Sequence, residues 1–183
     1  MIPVLETERY ILAGVEPADQ EFVFRGLSDP AVIPFYGVSY SSFEETSSQM
    51  DFYASIWANQ TGCWWKIIDR ASNQPIGACG INNYQSAHEK AELGYWLLPL
   101  AWKKGVMKEV LPVVLAHLFT QWKLHRLEAV IEPGNDASIR LAQSLGFQFE
   151  GEMREAEIKQ GRRINLQMYS LLKTDLDTNK KTT

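Results

Sequence analysis

The chain has 183 residues, 45% of them hydrophobic and 22% charged, with a formal net charge of −4. That length suits one domain with a sizeable core, and the composition is that of a globular protein rather than a disordered or disulfide-built one. The acidic balance argues against nucleic acid as a partner, the opening MIPVLETERY lacks the basic start and apolar core of a signal peptide, and the longest apolar helix, around Val110 to Phe119, falls short of the ~18–20 residues that span a bilayer. A cytoplasmic location without membrane contact is the expectation.

The elements follow in chain order. RYILAGVE reads as a first strand, and PADQEFVFRGLS as a helix with proline at its start. DPAVIPFYGVSYSS has the prolines, glycine and serines of a loop. FEETSSQMDFYASIWANQ gives a second helix with Phe43, Met50, Tyr53, Ile56 and Trp57 on one side. The strands CWWKIID, IGACGINNY and AELGYWLL follow, joined by turns too short for crossovers, so they form an antiparallel meander. A long helix runs from about Gly105 to Trp122, with Pro112 inside it where a backbone donor is lost. RLEAVIE is the next strand, NDASIRLAQSLG a helix capped by Asn or Asp and ended by Gly146, and FQFEGEMREAEI with RRINLQMYSLL a final hairpin.

The order β-α-α-β-β-β-α-β-α-β-β predicts an α/β (α+β) fold with a mixed sheet of about seven strands and helices on both faces. One domain over residues 1–173 is expected, with 174–183 a polar, fraying tail. Trp64, Trp65, Trp96 and Trp122 are core candidates, while Phe35, Tyr36 and Tyr40 lie in the first interhelical loop, where they would wall an acceptor site. Cys63 and Cys79 sit in strand-like runs without metal-ligand spacing, and His88, His117 and His125 are scattered, so buried thiols and no metal are expected.

Charge is uneven: residues 1–60 hold nine of the 22 acids but two of the 18 bases. An acidic front and a basic back suit a cationic substrate that meets an anionic cofactor. The basic side contains YWLLPLAWKKGVMKEV, residues 95–110, an apolar strand that passes through Trp102, Lys103 and Lys104 to a helix opening on Gly105. The first amides of that helix have no internal acceptor, so a phosphate there gains those donors, the positive end of the helix dipole and the mobile charge of Lys103 and Lys104.

In context this segment resembles the GNAT superfamily of N-acetyltransferases, and within it the branch that acetylates ribosomal-protein N-termini. Trp102, Lys104, Gly105 and Glu109 match the acyl-CoA loop W-x-K-G-x-A-x-E. Asn135, Ser138, Leu145, Gly146 and Phe147 match the short helix that follows, and EGEMRE, RASNQPIGACGI and AELGYWL also fit that branch. The resemblance spans roughly Thr7 to Leu172 and implies a mostly antiparallel sheet in one acyl-CoA N-acyltransferase domain. It departs at Met107, where a small residue is usual, and at Lys103, often glycine, so a bulkier turn is expected there.

The resemblance implies that the strand ending in Leu97 and Leu98 splays from its neighbour and leaves main-chain groups for the pantetheine amides of acetyl-CoA. The diphosphate would rest on Lys103, Lys104, Gly105, Val106, Met107 and Lys108, and Asn135 would bond the pantetheine arm. Amide formation needs a neutral amine, and Glu92, on the strand beside the splay, is the candidate general base. The tyrosine that serves many family members as acid is replaced by Ala142, which leaves Ser138 as the nearest hydroxyl to protonate the departing thiolate.

The activity implied is acetyl transfer to a primary amine, with a protein α-amino group such as that of a ribosomal protein as first choice. A small amine (polyamine or aminoglycoside) and a non-catalytic acyl-CoA-binding regulatory module are the alternatives. A homodimer is compatible with all three.

Overall fold

The computed structural model describes residues 1–179. Eight strands, β1 (Leu5–Glu6), β2 (Tyr10–Gly14), β3 (Cys63–Asp69), β4 (Gln74–Gln85), β5 (Lys90–Leu97), β6 (Arg126–Ile131), β7 (Gln148–Lys159) and β8 (Arg162–Leu172), are hydrogen-bonded in the order β1-β2-β3-β4-β5-β6-β8-β7. Five helices join them: α1 (Gln20–Leu27), α2 (Ser47–Ala58), α3 (Val106–Gln121), α4 (Asp136–Ser144) and α5 (Lys173–Asn179). Pairing is antiparallel for β1–β2, β2–β3, β3–β4, β6–β8 and β7–β8, and parallel for β5–β6. This is the mixed, mostly antiparallel sheet the element order predicts, with the two-residue β1 as an added edge.

The chain divides into two compact units. The first comprises residues 1–82 and 94–114. Its core sets Phe22, Val23 and Leu27 of α1 and Tyr53 and Ile56 of α2 against Trp64, Ala78, Trp96 and Leu98. Phe22 stacks on Trp96 with ring centroids 5.0 Å apart, and Tyr53 meets Trp64 at 5.2 Å. Burying each such side chain contributes about 1.5–3 kcal/mol. Helix α1 approaches closely because Gly26 has no side chain: a Cβ there would lie 2.1 Å from the Trp96 ring.

The buried face of α2 differs in part from the sequence expectation. Phe43 precedes the helix and is 41% exposed, whereas Met50, Tyr53 and Ile56 pack on the core as expected and Thr46 and Gln49 join them inside. The helix starts late because side chains upstream compete for the backbone: Ser41 N–H donates to Glu45 Oε2, and Glu45 N–H to Ser42 Oγ. Gln49 is tolerated inside because its Oε1 accepts from the Tyr40 hydroxyl at 2.9 Å. Tyr40 therefore faces the core, whereas Phe35 is 48% exposed.

The second unit comprises residues 83–93 and those from Leu115 onward. Strand β6 buries alternate residues, Leu127, Ala129 and Ile131, as the two-residue strand period requires. The β7–β8 hairpin carries register shifts between Phe149 and Gly151 and between Met153 and Glu157. The expected tail begins instead as helix α5, whose first turn is fixed by Asp175 Oδ2 accepting from Leu172 N–H at 2.9 Å and by Lys173 N–H donating to the His125 carbonyl at 2.8 Å. Residues 180–183 of that tail lie outside the described residues.

Both cysteines are buried free thiols, and burial pushes each thiol pKa well above its usual range. Trp64, Trp65 and Trp96 are buried, while Trp122 is half-buried with its ring edge-on to Tyr84. Among the described residues, no helix is long and apolar enough to cross a membrane, and no group of three or more His, Cys, Asp or Glu side chains is placed to hold a metal ion.

Candidate active site

Strand β5 ends at Leu97 and a 3-10 turn, Pro99–Ala101, carries the chain to Trp102. The Trp102 indole N–H donates to the Leu97 carbonyl at 2.9 Å, which closes this turn on the strand end. Lys103 and Gly105 then take left-handed backbone conformations, with φ of 59° and 74°. Helix α3 begins at Val106, and its first bond runs from Glu109 N–H to the Gly105 carbonyl at 3.2 Å. The N–H groups of Val106, Met107 and Lys108 thus occupy the first helical positions, where no carbonyl within the helix reaches them.

The chemistry of this turn suits a diphosphate. Lys103, Lys104 and Lys108 are exposed around it. A Cβ at Gly105 would meet nothing closer than Arg9 Nη2 at 3.8 Å, so the outer side of the turn is open to an approaching anion. Left-handed residues alternating before a helix start turn successive N–H groups to one side, a concavity that favours anions.

Both departures from the family pattern resolve on the backbone. Lys103 adopts the left-handed conformation that explains why glycine is frequent there, at a strain of about 1–2 kcal/mol. Met107 is 6% exposed and packs inward beside Val106, so its bulk does not enter the turn as the sequence comparison leads one to expect. Pro112 lies on the exposed side of α3, where the Lys108 carbonyl deprived of its helical donor can be hydrated.

Leu97 and Leu98 are more committed than the expectation of unpaired groups allows. Leu98 is 2% exposed and its N–H donates to the Ile76 carbonyl at 2.9 Å, while the Leu97 carbonyl holds Trp102. The pairing of β5 with β6 ends earlier in the strand. The parallel register of β5 with β6 covers only Lys90, Ala91 and Glu92, and β5 runs on to Leu97.

Glu92 is the last residue in that register, opposite Glu128. It is half-buried, and its Oε2 accepts from Asn83 Nδ2 at 3.1 Å. Asn83 reaches it from β4 with φ of 54°, a local irregularity in that strand. The neighbouring Glu128 carboxylate is neutralised by Arg126 Nε at 2.8 Å and Lys90 Nζ at 3.4 Å, which limits its repulsion of Glu92.

Asn135 and Ser138 come together at the start of α4. Asn135 is the N-cap, and its Oδ1 accepts from the Ser138 N–H at 3.2 Å. The capping bond leaves the Asn135 amide nitrogen to donate elsewhere, and both residues are half-buried. Ala142 is 4% exposed and serves the core.

Sequence reading left three residues without a part: Thr7 and Arg9, which hold Glu109 in the first turn of α3, and Asn83, which holds Glu92. Burial opposes ionisation of Glu109, but hydrogen bonds from Thr7 and from the Arg9 N–H and guanidinium prevail and keep its carboxyl below the usual range. Only the family glutamate at 109 was visible as a signal; its partners lie about a hundred positions away.

Known proteins resemble this chain in sequence and in fold. The sequence model of the Acetyltransferase (GNAT) domain matches residues 9–148. An uncharacterized N-acetyltransferase of Bacillus subtilis (strain 168), YoaA, is 33% identical over 174 residues, covering 94% of this chain and 98% of the relative. Among solved structures, the ribosomal L7/L12 α-N-protein acetyltransferase RimL, in complex with coenzyme A, superposes with a TM-score of 0.84 at 20% identity, covering 93% of this chain and 98% of that one. Spermidine N-acetyltransferase from Vibrio cholerae, in complex with CoA and spermine, gives 0.81 at 20% identity, with 92% and 98% covered. The chain belongs to the GNAT acetyltransferase family and is an acetyl-CoA-dependent acyltransferase.

Proposed function

We propose that the protein transfers an acetyl group from acetyl-CoA to the α-amino group of a protein, with ribosomal-protein N-termini as the substrate class. The turn Trp102–Lys108 carries the donor half of this reading, because it combines left-handed backbone, exposed lysines and the open start of α3. Lys103, Lys104, Gly105, Val106, Met107 and Lys108 would hold the diphosphate, Met107 through its main-chain N–H alone. Leu97 and Leu98, at the end of β5, would line the slot for the pantetheine arm, and the Asn135 amide would be a donor to that arm. When bound, acetyl-CoA supplies a thioester carbon open to attack by an amine. The GNAT model spans stretches of both units, which supports treating residues 1–173 as one acyltransferase domain.

The chain's own residues manage the protons. An α-amino group with a pKa near ~8 arrives largely protonated at neutral pH, so a carboxylate must take its proton. Glu92 serves as this base: Asn83 fixes Oε2, which leaves Oε1 to accept the proton directly or through a water. Ser138 is the hydroxyl available to the departing thiolate, since Ala142 has no proton to give. Orientation of amine and thioester accounts for much of the rate, up to ~7–11 kcal/mol in favourable systems.

The likeness to RimL supports a protein acceptor. A similar score against an enzyme crystallised with spermine supports a second reading, acetylation of a polyamine. Thiol release from acetyl-CoA against ribosomal-protein N-terminal peptides and against spermidine and spermine separates them. A gain of one acetyl group on the peptide α-amine alone is the expected result. Turnover of polyamines only would replace the acceptor, and tight CoA binding without turnover on any amine would leave a non-catalytic acyl-CoA-binding module.

A further inference from the structure

The turn that opens α3 is gripped by the N-terminal segment through contacts that phosphate binding does not require. Glu109 Oε1 accepts from Thr7 Oγ1 at 2.7 Å and from the Arg9 backbone N–H at 2.9 Å, and Oε2 accepts from Arg9 Nε at 2.6 Å. The same guanidinium donates through Nη1 to the Lys104 carbonyl at 3.2 Å. Thr7 is itself fixed, because its Oγ1 accepts from the Tyr10 N–H of β2 at 3.0 Å.

One planar group therefore ties Lys104 and Glu109, the residues on either side of Gly105 and the first turn of α3. An ammonium is a point donor on a flexible stem, whereas the fixed fork of a guanidinium can set the spacing of two acceptors. Charge matters as much as shape. A carboxylate in a helix's first turn is attracted to the same positive end that must receive a phosphate, and it repels that phosphate. Held by Thr7 and Arg9, Glu109 is fixed in place and its charge is countered.

We propose that Arg9, seated beside Thr7, is a positioning residue that presets the anion-binding turn and neutralises Glu109 within it. The inference rests on the reading that this turn receives the diphosphate of CoA.

The test is calorimetric titration with CoA, together with KM for acetyl-CoA and kcat, for Arg9→Ala, Arg9→Lys, Glu109→Gln and the double variant Arg9→Ala/Glu109→Gln. Arg9→Ala should weaken CoA binding about tenfold or more and raise KM in step, with kcat at saturating acetyl-CoA changed by less than about threefold. Arg9→Lys, which reaches one acceptor but not both, should recover part of the loss. The double variant should bind CoA more tightly than Arg9→Ala, since no uncompensated carboxylate remains; damage to the fold alone is not repaired by a second deletion. Circular dichroism establishes that each variant is folded, and should Arg9→Ala fail, Arg9→Lys and its double with Glu109→Gln carry the same comparison.

Arg9→Ala binding CoA like the parent, while Gly105→Glu does not bind, would overturn the brace and leave the turn's role intact. A fall in kcat with KM unchanged would also overturn it. Failure of the parent to bind CoA would instead overturn the reading beneath it.

Discussion

Replacing Gly105 by Glu alters backbone and charge together, and the two can be separated. Gly105 sits at φ of 74°, which costs a residue with a side chain about 1–2 kcal/mol. Gly105→Ala reports that strain alone, because nothing but Arg9 Nη2, at 3.8 Å, lies near the added Cβ. The glutamate adds a carboxylate on the open side of the turn. At about 5 Å from a docked phosphate, each like-charge pair costs roughly 1–3 kcal/mol for an effective dielectric between about 80 and 20.

Both variants should lose similar thermal stability, a few degrees of Tm at about 2–4 °C per kcal/mol for a chain of this size. Their CoA affinities should diverge: about tenfold or less lost for Ala, and about a hundredfold or more for Glu. Added salt should narrow the gap, because screening acts on the charge and not on the strain. Titration calorimetry with CoA at two salt concentrations measures all of this. Gly105→Glu binding CoA within about threefold of the parent would show that no diphosphate rests on this turn.

Three other perturbations probe the base, the core and an ion pair. Glu92→Gln should lower kcat by about 10²–10⁴ while CoA affinity stays near parental; an unchanged pH–rate profile would remove Glu92 from the reaction. Gly26→Ala drives a methyl to within 2.1–2.8 Å of Trp96 ring atoms, and should cost about 1–3 kcal/mol in urea unfolding, with a shift in tryptophan emission. Parental stability in that variant would mean that α1 can move off the strands at no cost. Arg126, and secondarily Ser170, hold the Glu150 carboxyl down to about 2. A carboxylate depressed by folding stabilises above its unfolded pKa, near 4.3, and loses that contribution as pH falls toward about 2. With Glu150 40% exposed, solvent screening reduces the effect to about 1 kcal/mol. Urea unfolding of parent and Glu150→Gln should therefore differ above about pH 5 and converge by about pH 2; a constant gap would refute the assignment.

Where local chemistry decides, the sequence and the structure coincide. CWWKIID is β3 residue for residue, and the helix predicted at NDASIRLAQSLG has Asn135 as its N-cap and Gly146, at φ of 91°, just past its end. Elements set by competition were harder to read: FEETSS has helix-forming residues, yet its serine and glutamate side chains bond the backbone first and delay α2 to Ser47. The turn at Lys103–Gly105 was legible as chemistry but not as geometry. Comparing residue volumes makes Met107 an obstruction and Lys103 a misfit, whereas direction decides the matter: Met107 points into the core, and Lys103 meets a backbone requirement with its side chain in solvent. Arg9 was illegible for a different reason. Its partners Lys104 and Glu109 are 95 and 100 residues away, and a lone arginine ahead of a strand has no period or spacing that points to them. A motif records the residue types that a ligand-binding turn needs at its surface. The groups that hold the turn in shape come from wherever the fold brings the chain back, so they must be sought in the hydrogen bonds beneath the motif.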